Sequence, residues 1–277
     1  MDERRIELAL RSFFSREPSV QDAEDPFQFR AQMLLRDSDG DEVANPLPVG
    51  KILVGVSGAS YATQLAAIIT AWHGTGTNPL WAFSAEAAEA IEGVTPECTS
   101  RQRVLEVPVD TVHAFVAVVE RGAAEDAFEA ATSLVAELGG ARGLLTLLGF
   151  QQTVGSRELA PLTLRQCLAA FTQRHTPDEP LTVGARAFSK HCARSSSGWW
   201  GELNGNDAAK NARAEAKVRE LLASATWKNI HSLPHAHGTM EIRNALGYGA
   251  RWDAETRTFR GFLEPPMRNG HGTKWRH

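Results

Sequence analysis

The stretch "WKNIHSLPHAHGTMEIRNALGYGARWDAETRTFRGFL", Trp227–Leu263, decides the fold. Four short segments within it alternate polar and apolar residues: "WKNIHSL", "GTMEIRN", "YGARW" and "RTFRGFL". Alternation with period two marks a strand with one covered face. Short turn-forming stretches separate the segments, and "DAET" joins the last two. Short connections join antiparallel neighbours, so the sequence predicts a meander. Just upstream, Asp207 to about Ala225 carries the strongest helix signal in the chain. Asn206 or Asp207 caps it, Val218, Leu221, Leu222 and Ala225 form an apolar stripe, and Glu215–Arg219 is a favourable i,i+4 pair. The C-terminal part is therefore expected to be a helix packed on a small antiparallel sheet.

The same stretch holds the candidate chemistry. His235, His237 and Glu241 fall on one strand face by period two, a spacing that suits a divalent metal. Their H-x-H-x3-E pattern resembles the first half of the cupin metal motif, which implies metal ligation by these three residues. The upstream glycine and the second half of that motif are missing, and Pro234 and Gly238 favour a turn. Without a metal, Glu241 and His235 are a candidate acid/base pair. Arg251 and Arg260 are expected on adjacent strands, where two guanidinium forks would share a phosphate or carboxylate, or an internal acid such as Glu241. Trp252 offers a face for stacking, and His271 joins the site from the basic tail "GHGTKWRH". The plainer alternative is hydrogen-bonding histidines at a sheet end, aromatics in the core and solvated arginines.

Residues 51–58, "KILVGVSG", read as a buried strand opening through Gly55 and Gly58 into a helix from Ser60 to about Trp72. Ser57 and Ser60 complete a candidate phosphate-binding turn. "VGVSGAS" resembles the first strand–turn–helix of the UbiX-type flavin prenyltransferases, and "FSAEAAEAI" falls where that family has its second strand and helix. The resemblance covers residues 51–95 and implies a flavin or nucleotide at this turn. The family's later motifs are missing, so its activity is not carried over. Further along, "LWAF", "QRVLEVPV" and "GLLTLLGF" read as strands. Helices are expected over 5–14, from Asp110 through Val119, around Phe128–Leu138, around Leu164–Phe171 and over "VGARAFSKHCAR". Cys167 falls on an apolar helix stripe, which predicts a buried, inert thiol.

These elements give an α+β protein with an N-terminal α/β-layered lobe. Its parts are an N-terminal helix and polar extension (1–50), an α/β lobe (51–175) and an α+β lobe with the meander (181–277); "TQRHTPDEP" is the linker. No run of 18 apolar residues occurs, so no membrane partner is expected. Three scattered cysteines fit a reducing compartment, and the expected location is cytoplasmic or nuclear rather than secreted. Net charge is −4, which disfavours wholesale coating of nucleic acid. Charge is uneven, however: residues 1–50 hold 11 acids and 6 arginines, and residues 240–277 hold 7 Lys/Arg and 4 acids. The function expected is binding of an anionic small molecule or nucleotide at the C-terminal Arg/His/Trp site, with hydrolysis as its chemistry. The competing class is a non-catalytic module that binds RNA or a protein on the same face.

Overall fold

The computed structural model describes residues 2–16, 52–83, 96–195, 198–202, 204–232 and 238–266. The helices are α1 (Glu3–Ser15), α2 (Tyr61–Thr75), α3 (Thr99–Glu106), α4 (Val109–Arg121), α5 (Ala124–Leu138), α6 (Gly140–Leu147), α7 (Leu164–Thr172), α8 (Val183–Arg194) and α9 (Asp207–Ser224). The strands are β1 (Ala225–Ser232), β2 (Gly238–Asn244), β3 (Gly249–Asp253) and β4 (Phe259–Leu263). They form one antiparallel sheet in the order β1-β2-β3-β4. The fold is α+β, and the C-terminal helix-on-sheet arrangement is as the alternation predicts.

The first half differs. Four segments expected as strands are not strands. "QRVLEVPV" forms most of α3, ended by Val107 in extended backbone before Pro108. A residue before proline is pushed out of the helical region, so the proline marks the helix end. "GLLTLLGF" forms the end of α6, whose residues are buried almost without exception. A continuous apolar run fits a helix covered on all sides as well as a central strand. Residues 52–59 hold no strand either. "LWAF" falls largely in a 3-10 turn, Pro79–Ala82. Among the described residues the layers of this half are helical: α1 packs on α2, α4 and α5, and α3 and α5 pack on α6. The cap of α4 is Pro108, with Asp110 inside its first turn. Ser84–Ile91 of "FSAEAAEAI" lies outside the described residues, as does "FQFRAQMLL" (27–35), whose alternation suggests a strand.

In the second half, Thr163 and Gln166 close a reciprocal capping box at the start of α7, Thr182 caps α8 and Asn206 caps α9. Helices α7, α8 and α9 pack on one another and cover one face of the sheet. Met240, Ile242, Ala250 and Trp252 point into that core and are fully buried. Cys167 is also fully buried on α7, as its apolar neighbours predict. The opposite sheet face is polar, and it carries the site.

The outer edge of β1 is not left open. Gln151 N donates to Lys228 O (2.6 Å), Arg157 N to Ile230 O (2.7 Å) and Ser232 N to Gly155 O (3.1 Å). The 151–157 segment thus satisfies an edge that would otherwise be free to pair with another chain. Gly55 anchors the same junction: its N–H donates to Ala225 O at 2.7 Å. Its φ is +75°, and a Cβ there would stand 2.7 Å from Ala223 O, so only glycine fits.

Candidate catalytic face on the sheet

Period two places Trp227, Asn229 and His231 of β1 on the same face as Thr239, Glu241 and Arg243 of β2 and Arg251 and Asp253 of β3. Pairing sets them in rows. Asn229, Glu241, Arg251 and Gly261 lie across the four strands, with His231, Thr239 and Asp253 in the next row. Glu241 is the centre and is almost wholly buried. Its Oε1 accepts from Arg243 Nε at 2.5 Å, and its Oε2 accepts from Arg251 Nε at 2.6 Å. Its Oε2 also lies 3.1 Å from His231 Nε2.

Burial alone raises the Glu241 carboxyl pKa. The hydrogen bond with His231 and the charges of Arg243 and Arg251 outweigh it and hold the group at about 2. An ionised carboxylate can only accept, so His231 Nε2 carries the hydrogen, and Nδ1 is the nitrogen left to act as an acceptor in the neutral tautomer.

The two arginines have different situations. Arg243 is buried and locked, with Nη1 donating to Gly247 O (2.7 Å) and Glu264 O (3.0 Å). A side chain at Gly249 would strike Ile242 O and the Arg243 stem at 2.1 and 2.8 Å, so glycine there makes the room for this arginine. Arg251 is 29% exposed, and among the described residues only its Nε has a hydrogen-bond partner. Its terminal nitrogens carry the donors that this face can offer to an anion.

Several expected site residues are placed elsewhere. Arg260 does not face Arg251: a bulge pairs Arg251 with Gly261 and Trp252 with Phe259, leaving Arg260 between them. It donates to Asp253 Oδ2 at 3.2 Å, so the two arginines pair with different acids and do not share one anion. Trp252 is fully buried, and its indole N–H donates to Cys167 O at 3.1 Å; it is a core residue with no face for a ligand. The Gly55–Ser60 turn spends several of its donors internally. Gly55 N and Val56 N donate to Ala225 O and Leu222 O, Ala59 N to Ser57 Oγ, and Thr63 N to Ser60 Oγ. Ser60 Oγ also accepts from Arg11 Nη2, and Gly58 lies in the same turn. His235, His237 and His271 lie outside the described residues. Among the described residues no three His, Cys, Asp or Glu are grouped to hold a metal.

His231 and Arg243 are the site residues that the sequence reading passed over. Their signal was present. His231 is alternation-matched with Asn229, and Arg243 with Glu241, on two adjoining strands.

Residues 172–264 match the profile of a family described as the CdiA C-terminal tRNase toxin domain. The match spans roughly one third of the chain and includes α8, α9, the whole sheet and every residue of the Glu241 cluster. No match was found among curated proteins or among solved structures. No helix among the described residues is long and apolar enough to cross a membrane.

Proposed function

We propose that the chain is a ribonuclease whose catalytic face is the polar side of the four-stranded sheet, with transfer RNA as the substrate class. The observation that carries this is the Glu241 cluster: a buried carboxylate orienting one histidine and one partly exposed arginine, inside a segment similar to a tRNase toxin domain.

In this reading His231 Nδ1 takes the proton from a ribose 2′-hydroxyl. The 2′-oxygen bonds to the adjacent phosphorus as the bond from phosphorus to the 5′-oxygen breaks, and the leaving oxygen takes a proton from water. The products are a 2′,3′-cyclic phosphate and a 5′-hydroxyl. Arg251 holds the phosphate oxygens as negative charge builds on them. Glu241 is a positioning residue. A carboxyl held at about 2 is no proton donor near neutrality, but it fixes the His231 tautomer and the Arg251 fork. The enzymatic unit is the segment from about residue 172 to 264. The terminal nitrogens of Arg251, left over from its pairing with Glu241, are the donors this face offers a polyanion.

The reading is tested by incubating the full chain with tRNA and mapping the fragment ends. Cyclic phosphate ends that vanish when the cleaved nucleotide carries a 2′-deoxy sugar support it. Cleavage that survives the 2′-deoxy substitution overturns the mechanism. Binding of tRNA with no cleavage would favour the non-catalytic module instead.

A further inference from the structure

Beside the Glu241 cluster a pocket opens between the sheet and the preceding half of the chain. Pro96, Phe150, Gln152, Thr153 and Trp227 are among its walls. Only Trp227 of these lies within the tRNase-like segment. Trp227 is 1% exposed, and its indole N–H is buried with no hydrogen-bond partner among the described residues. Gln152 is 7% exposed and lines the same pocket. A buried donor left unmade is costly, and this one, in the wall of a pocket beside the Gln152 carboxamide, points to a ligand that completes it.

The pocket is joined to the catalytic face. Trp227 and His231 share one face of β1, with ring centroids 6.5 Å apart. Asn229 lies between them. Its Nδ2 donates to the pocket residue Thr153 at 3.1 Å, and it stands opposite Glu241. A ligand in the pocket would therefore sit next to a phosphate held at His231 and Arg251.

We infer that this pocket binds one nucleobase of the RNA beside the cleaved phosphate, and that it selects a base with a carbonyl oxygen next to a ring N–H, guanine or uracil. Pro96 and Phe150 supply apolar surface for the flat base. The Trp227 indole N–H donates to the carbonyl, and the Gln152 carboxamide oxygen accepts from the ring N–H. Adenine and cytosine offer no ring N–H on that edge. A site built to hydrogen-bond one pattern rejects bases that leave its buried groups unpaired. The choice of RNA as ligand rests on the ribonuclease reading; the pocket and its unpaired indole N–H do not. Sequence preference would then come from residues outside the tRNase-like segment, a further role for the helical half.

The test titrates the full chain carrying His231→Ala with the four ribonucleoside 3′-monophosphates, following affinity by calorimetry and the Trp227 indole N–H by NMR. Trp227→Phe identifies that resonance. The expected result is tighter binding of guanosine or uridine monophosphate, with a shifted Trp227 indole signal. Trp227→Phe and Gln152→Leu should each weaken that binding by about 3- to 10-fold, the worth of one neutral hydrogen bond. Gln152→Leu carries the test if Trp227→Phe does not fold. Equal affinity for all four bases, or a Trp227 signal that no nucleotide moves, overturns the inference. Selective binding in a chain whose wild type cleaves no RNA would keep the pocket and discard the ribonuclease reading. RNA cleavage with no base bound at Trp227 would do the reverse.

Discussion

His231 and Glu241 meet diagonally, not face to face: Glu241 stands opposite Asn229 in the β1–β2 ladder, and His231 reaches it from the next pair along, at 3.1 Å. Diagonal neighbours on one sheet face are within reach of long side chains. The geometry leaves the position beside Glu241 on β3 to Arg251, its directly paired partner. One carboxylate thereby holds both the proposed base and the proposed anion binder.

Removing that carboxylate's charge should destabilise the fold. Glu241→Gln leaves Arg243 buried without its counter-ion, a change worth about 3–5 kcal/mol when a buried pair is broken. The pH dependence follows from the same group. Its folded-state value is about 2, below its ordinary 4.5, so its contribution is present above about 4.5 and is lost as pH falls toward 2. Urea unfolding at pH 7 and pH 3 should show wild type losing stability between these values more steeply than Glu241→Gln. Parallel losses would mean that Glu241 is not held ionised by its neighbours.

Arg251 and Arg243 should separate activity from stability. Arg251→Gln is expected to cut RNA cleavage by about 100-fold or more, the cost of losing one donor to a developing negative charge. Its stability should fall less, since Glu241 keeps Arg243 and His231. Arg243→Gln leaves Glu241, Gly247 O and Glu264 O short of a donor and should cost about 3 kcal/mol or more. Thermal unfolding and cleavage rates on both variants check this. Equal stability losses would count against Arg243 as the anchor.

Lys228 predicts a second pH dependence, on the alkaline side. Its Nζ donates to Gly55 O (2.9 Å) and Leu148 O (3.1 Å), and burial lowers it from 10.5 to about 7. Between those values the unfolded chain holds a proton that the folded chain does not. Stability therefore rises with pH across this window, by up to about 1.4 kcal/mol per pH unit. Below about 7 both states are protonated and the slope ends. Lys228→Met should remove the slope in urea unfolding between pH 7 and 10. A slope unchanged in the variant would show that Lys228 is not its source.

What the sequence made legible follows the strength of each periodic signal. The meander and the helices α7, α8 and α9 were readable because their apolar residues recur at one period with clear caps and turns. The apolar run at 143–150 was not, since it has no period to distinguish strand from buried helix, and Gly55 breaks the segment before α2 in a way that only its left-handed φ reveals. In the site, Glu241 stood out by its period-two spacing with His235 and His237. His231 was hidden by the denser His235–His237 pair, although alternation put it on the Glu241 face. The Arg251–Arg260 pairing failed on one bulge, because shifting register by one residue changes every neighbour beyond it. Trp252 looked like a stacking residue only because burial cannot be read from residue type.

The most direct test of the central claim is single-turnover cleavage of tRNA by the wild-type chain and by His231→Ala, with fragment ends identified. The account predicts 2′,3′-cyclic phosphate ends from wild type and a rate lower by about 100- to 10,000-fold in His231→Ala, the range for losing a general base, with the variant folded as wild type by circular dichroism. Cleavage by His231→Ala at the wild-type rate would contradict it.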